Sequence, residues 1–140
     1  MSVLVHVGVR ASNLEESVRF WRDGLGLKVV RQKGTSCDLS DGYHNFKIFK
    51  HVGESRPDHV GGMLDYLHVG VGVNNVPAAA GRLRAMGYEI FSDGLSGKHP
   101  VDPENLEDRA FKVEDPDGIT VDVSEIDERW PGITLTPADS

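Results

Sequence analysis

Only one cysteine, Cys37, stands among 140 residues. That excludes a disulfide framework within the chain and suits a reducing compartment, which points to the cytoplasm. No apolar run reaches the length that crosses a bilayer, and the first residues alternate valines rather than spelling a charged region and apolar core, so no secretory leader is expected. Positive charge is scarce: 15 Lys and Arg against 22 Asp and Glu give a formal charge of −7. A chain that tracks a phosphate backbone needs the opposite balance. Nucleic acid and membrane are therefore not expected as partners. The spaced metal motifs HxH and HExxH are missing as well. What is present, 39% apolar and 26% charged residues over one domain's length, can bury a sizeable core.

The strongest positive signal is a stretch written twice. His6-Val7-Gly8-Val9 returns unchanged as His68-Val69-Gly70-Val71, and Asn13 and Asn75 keep the same offset. With one residue of slippage, Leu25-Gly26-Leu27 answers Met86-Gly87-Tyr88. Self-similarity at a fixed period marks two copies of one structural unit. In the first copy Val3, Val5, Val7 and Val9 alternate with Leu4, His6, Gly8 and Arg10, the signature of a strand with two unlike faces. Asn13 caps a helix, with Glu16 placed for a capping box, and Leu14, Val18, Trp21 and Leu25 form its apolar stripe. Strands are predicted at 27–31, 36–39 and 44–49, with Asp41-Gly42 as a turn. The unit is therefore β-α-β-β-β.

Residues 51–64 read as a linker, and the order then repeats. A strand carries Tyr66, His68, Gly70 and Gly72 on one face and Leu67, Val69, Val71 and Val73 on the other. Asn75 and Pro77 open a helix, 88–91 is a strand, and the breaker-rich stretch 92–108 is expected to be a long loop, a possible lid bordered by His99 and Arg109. Strands at 109–113 and 119–124 flank the turn Asp115-Pro116-Asp117-Gly118. The expected organisation is one α+β domain over 1–126, with units at 1–50 and 65–126 and a tail at 127–140.

In both opening strands the valines form the face that packs on the unit's helix, so His6 and His68 look the other way. Asp122 does the same on the last strand, between Val121 and Val123. If the two sheets curve toward each other, His6, His68 and Asp122 converge in one cup, with Gly8, Gly70 and Gly72 leaving room. Two imidazoles and a carboxylate suit a divalent transition metal such as Fe, Mn, Ni or Zn. A single histidine on a half-buried strand is ordinarily just a satisfied polar group. Its recurrence at the duplicated position is what points to a shared role.

Phe111-Lys112-Val113-Glu114-Asp115-Pro116-Asp117-Gly118, followed by a strand that brings Asp122 four residues after the glycine, resembles the vicinal oxygen chelate superfamily. These are the glyoxalase, bleomycin-resistance and extradiol-dioxygenase proteins. The resemblance covers nearly all of 3–125 and implies paired βαβββ modules forming a curved mixed-sheet cup. It also implies metal ligands at His6, His68 and Asp122, though the usual carboxylate is the longer Glu. The fourth ligand of glyoxalase-type lyases, a Glu on the last strand of unit one, has no counterpart: counting four from Gly42 reaches Phe46, and His44 is a weak substitute. The dioxygenase signature departs at Lys112, where a tyrosine is usual.

The resemblance implies a divalent-metal lyase or isomerase of the glyoxalase type, acting on a small oxygenated substrate. Asp122 is then the candidate base, with Glu125 a second choice whose alternation turns it to the helix side. Arg10, His44, Tyr66 and Lys112 are candidate substrate contacts, although a solvent-facing side chain is the commoner reading of Arg10, Tyr66 and Lys112. One alternative is a metal-free drug- or metabolite-binding protein. Another is a metal-dependent dioxygenase or a fosfomycin-resistance-type transferase. A homodimer is expected, and the cups can close within one chain or be shared between two.

Overall fold

The repeated sequence produces repeated local structure. In the computed structural model, which describes residues 4–52, 68–94, 97–104, 106 and 109–125, β1 (His6–Ala11) leads into α1 (Leu14–Arg19) and a π-helical turn over Phe20–Gly24. Then come β2 (Lys28–Lys33), β3 (Ser36–Ser40) and β4 (Asn45–Lys50). The second unit runs β5 (Val69–Val73), α2 (Val76–Ala85), β6 (Ile90–Gly94), β7 (Gly97–Pro100), β8 (Ala110–Glu114) and β9 (Thr120–Glu125). Tyr66, most of the expected linker and the tail lie outside the described residues.

Both helices begin the same way. Asn13 and Asn75 are extended, and their side-chain oxygens accept from the backbone N–H three residues on, at 3.1 Å from Glu16 and 3.0 Å from Ala78. Both also end the same way, on glycines with positive φ, Gly26 at 82° and Gly87 at 97°. A left-handed residue just past a helix lets the next N–H close back on a free carbonyl. Here Leu27 donates to the Trp21 carbonyl and Tyr88 to that of Leu83.

Each unit forms a mixed sheet, ordered β1-β4-β3-β2 and β5-β9-β8-β6-β7. Its first and last strands pair in parallel, and its other described pairs are antiparallel. The α+β architecture of paired βαβββ units expected from the sequence is therefore present. β7 stands inside the stretch 92–108, whose glycines and prolines predict a loop. As an edge strand against β6 alone it tolerates a proline, whose missing N–H has no neighbour to serve.

The apolar faces of both sheets and both helices share one core. It includes Phe20, Trp21, Leu39 and Ile48 from the first unit and Val76, Leu83, Val113, Val121 and Val123 from the second. Burying each such side chain stabilises by about 1.5–3 kcal/mol. The units meet along their helices: Arg82 Nε donates to the Gly24 carbonyl at 3.1 Å, and the Phe20 and Tyr88 rings touch edge-on at 4.8 Å. The Ser12 N–H donates to Asp117 across the same seam. The valine face of β1 departs from expectation. Ala11 is buried and Val9 half-buried, but Val5 and Val7 are 61% and 47% exposed, beyond the reach of the helix.

Candidate functional site

The polar faces of the two sheets lie on the sides turned away from this core. On the first, His6 stands opposite Asn45, and the next rung crosses the sheet as Gly8, Lys47, Asp38 and Arg31. These side chains are wired together. His6 Nδ1 lies 2.7 Å from Asn45 Oδ1, and Asn45 Nδ2 donates to Asp38 Oδ2 at 3.0 Å. Arg31 donates to the same oxygen at 3.3 Å, and Lys47 Nζ stands 3.7 Å from the other. Asp38 is almost fully buried, yet the Asn45 hydrogen bond, then Arg31 and Lys47, hold its carboxyl below the usual range against that burial. His6 lies over Gly8: a Cβ there would sit 3.4 Å from His6 Nε2.

On the second sheet the corresponding rung crosses as Gly70, Asp122, Lys112 and Phe91. Asp122 is 9% exposed, and Lys112 Nζ stands 3.5 Å from its Oδ1. His68 immediately precedes β5 and is exposed.

Register, not counting from the turn, gives the equivalences between units. Gly70 faces Asp122 as Gly8 faces Lys47, so the counterpart of Asp122 is Lys47 and not Phe46. Phe46 is buried against Trp21, with ring centroids 4.3 Å apart. Lys47 stands five residues after Gly42, where Asp122 stands four after Gly118. Asp41 accepts from the N–H groups of Tyr43 and His44 and also binds the His44 ring at 2.9 Å, so His44 belongs to the turn and not to the strand. The first-unit position equivalent to Asp122 therefore carries a cation.

The other candidates fall as follows. Arg10 is exposed on the polar face of β1, where Gly8, Val9, Phe49, Lys50 and Val52 complete an open groove of about 450 Å³. Lys112 is engaged with Asp122. Glu125 sits opposite Val73 on the helix side, bonded to Arg109. Tyr66 lies outside the described residues. His99 is on β7, opposite Ser92. Among the described residues of one chain, no three His, Cys, Asp or Glu side chains gather closely enough to hold a metal. His6 and Asp122 belong to faces on different sheets, each turned outward from the common core.

Sequence reasoning missed Lys47, Asp38 and Asn45. The signal was there: Asn45 and Lys47 alternate with the apolar Phe46 and Ile48, and Asp38 lies between Cys37 and Leu39. Counting from Gly42 instead of following that alternation concealed it. The donor types nonetheless suit a divalent transition ion, since imidazole and carboxylate are its ordinary ligands. Gly8 leaves the Nε2 side of His6 uncrowded.

Known proteins share this architecture. The trypanothione-dependent glyoxalase I of Leishmania major superposes with a TM-score of 0.65 at 20% identity, covering 89% of this chain and 87% of its own. The oxidase ChaP-H2 gives 0.66 at 24% identity, over 88% and 93%. Lactoylglutathione lyase from Agrobacterium tumefaciens gives 0.56 at 19%, over 89% and 94%. At such identities the likeness is one of fold. No curated protein matches the chain. The family model described as the Glyoxalase/Bleomycin resistance protein/Dioxygenase superfamily matches residues 3–123, and the chain belongs to that superfamily.

Proposed function

We propose that the protein is a divalent-metal-dependent lyase or isomerase of the glyoxalase type, acting on a small oxygenated substrate in a cup shared between two copies of the chain. The observation that carries this reading is the placement of Asp122. It is a nearly buried carboxylate on the polar face of β9, across from a glycine and beside the strand that His68 leads into. His6, His68 and Asp122 are the residues that would hold the ion, and a metal so held would polarise two neighbouring substrate oxygens. Asp122 is the candidate proton acceptor on its face. Lys112 Nζ stands 3.5 Å from that carboxylate. Lys47, in place of a fourth donor, leaves coordination positions for substrate and offers a positive charge to an anionic group. Arg10, on the same face, extends that field, and Tyr66 and His44 are further candidate contacts.

The shared cup is supported by the direction of the polar faces, which turn away from one another within a chain. It is also supported by the edge position of β1, where Leu4, Val5 and Val7 are exposed. Exchanging identical units is an inexpensive route to a symmetric dimer.

A second reading has one observation in its favour. The buried carboxylate of each polar face is already matched, Asp38 by Arg31 and Lys47 and Asp122 by Lys112, so neither face needs a metal to balance its charge. That suits a metal-free protein that binds a drug or metabolite. Elemental analysis of the purified protein beside a His6→Ala, His68→Ala double mutant separates the two. About one transition-metal ion per chain, lost in the mutant, is the expected result. Failure of the wild type to retain or take up any metal on reconstitution would sink the catalytic reading in favour of the binding one. Iron as the metal would redirect the assay to oxygen uptake.

A further inference from the structure

The two histidines of the duplicated motif are not equivalent. Asn45 stands two residues before Lys47 on β4, while the same place before Asp122 on β9 is taken by Thr120, and Asp38 is answered by Lys112. The hydrogen-bonded chain Asp38–Asn45–His6 is thus a property of the first unit. Its chemistry has a fixed direction. A carboxylate only accepts, and Asp38 is kept ionised by Arg31 and Lys47, so the Asn45 group facing it at 3.0 Å must be the NH₂. The Asn45 carbonyl oxygen is then the atom 2.7 Å from His6 Nδ1, and an oxygen acceptor there requires that Nδ1 carry the hydrogen.

We propose that Asn45, oriented by Asp38, is a positioning residue that holds neutral His6 as its Nδ1–H tautomer and so presents Nε2 as the lone-pair donor. Gly8 completes the arrangement, because Nε2 lies over it and a side chain there would crowd the donor atom. A free neutral imidazole prefers the other tautomer, with hydrogen on Nε2, so the local network reverses the intrinsic preference. Orientation of a ligating imidazole through its second nitrogen is a general device for fixing ring angle and donor strength. This inference rests on the reading of His6 as a ligand only for its consequence, since the tautomer itself belongs to the metal-free chain.

Long-range proton–nitrogen correlation spectra of ¹⁵N-labelled, metal-free protein, recorded at a pH where imidazole is neutral, read the tautomer directly. Wild-type His6 is expected as Nδ1–H, and in Asn45→Leu it reverts toward Nε2–H, with the backbone spectrum serving as the control for folding. Wild-type His6 found as Nε2–H would overturn the proposal without need of any variant, as would an unchanged tautomer in a folded Asn45→Leu. A Co²⁺ titration supplies the second readout: Asn45→Leu is expected to bind about 10–100-fold more weakly than wild type, and equal affinity would refute the positioning role. If wild type takes up no Co²⁺ while the tautomer is as stated, the metal reading fails and the tautomer assignment stands.

Discussion

At the scale of single residues, the turn before β9 stores a pH dependence. Asp115 is buried, and burial pushes its carboxyl from 3.8 up to about 6, although the N–H groups of Ile119 and Asp117 both donate to it. An acid whose folded pKa lies above its unfolded value favours folding most where it is protonated. Its contribution therefore declines as pH rises from about 4 to about 6, by at most about 3 kcal/mol. Asp115→Asn keeps an oxygen for both N–H donors and removes the charge. In urea denaturation the variant is expected to match wild type near pH 4 and exceed it at pH 7; a difference independent of pH would remove burial of the charge as the cause. The same turn was legible in the sequence as Asp-Pro-Asp-Gly, and so was the alternation that sets His6 and Asp122 apart from their apolar neighbours, because alternation is a local property. The Lys47 counterpart was not, because a one-residue difference in turn length moves every later side chain to the other face.

At the scale of elements, the two helices were legible from their caps and exits, while the π-helical turn was not. It places the adjacent Phe20 and Trp21 both in the core, 0% and 1% exposed, where a regular α-helix turns neighbouring side chains well apart. An apolar stripe scored at helical spacing admits Trp21 and passes over Phe20. At the last residue of the π-helical turn, Gly24 lets the second helix approach: a Cβ there would lie 2.7 Å from the fully buried Leu83 Cδ2. Gly24→Ala is therefore expected to destabilise by about 1–3 kcal/mol through overpacking. Leu83→Ala removes the same contact from the other side and is expected to cost about 2–5 kcal/mol. Because the two act on one contact, the double mutant should fall short of their sum; strict additivity would show that the helices do not meet there.

At the scale of the whole molecule, the proposed shared cup makes a quantitative claim. If His6 comes from one chain and His68 with Asp122 from the other, His6→Ala and Asp122→Ala proteins are each without a complete site. Unfolded together and refolded, they form hybrid dimers with one intact site, and about a quarter of wild-type metal capacity should return. No recovery in hybrids confirmed by mass would place each cup within a single chain. Val7→Lys, on the exposed stretch of β1, is expected to leave folding stability within about 0.5 kcal/mol and to shift sedimentation from dimer to monomer. Such assembly was open in the sequence because a duplicated unit specifies a partner without saying whose.

The inverted charges of the two polar faces bear on that choice. A first unit set against another first unit opposes Lys47 to Lys47, and two second units oppose Asp122 to Asp122. A first unit against a second opposes lysine to aspartate. The two halves of a duplicated chain begin with no means of telling self from counterpart, and the exchange of Lys47–Asp38 for Asp122–Lys112 supplies it. Recognition of that kind is expected to strengthen as salt is lowered.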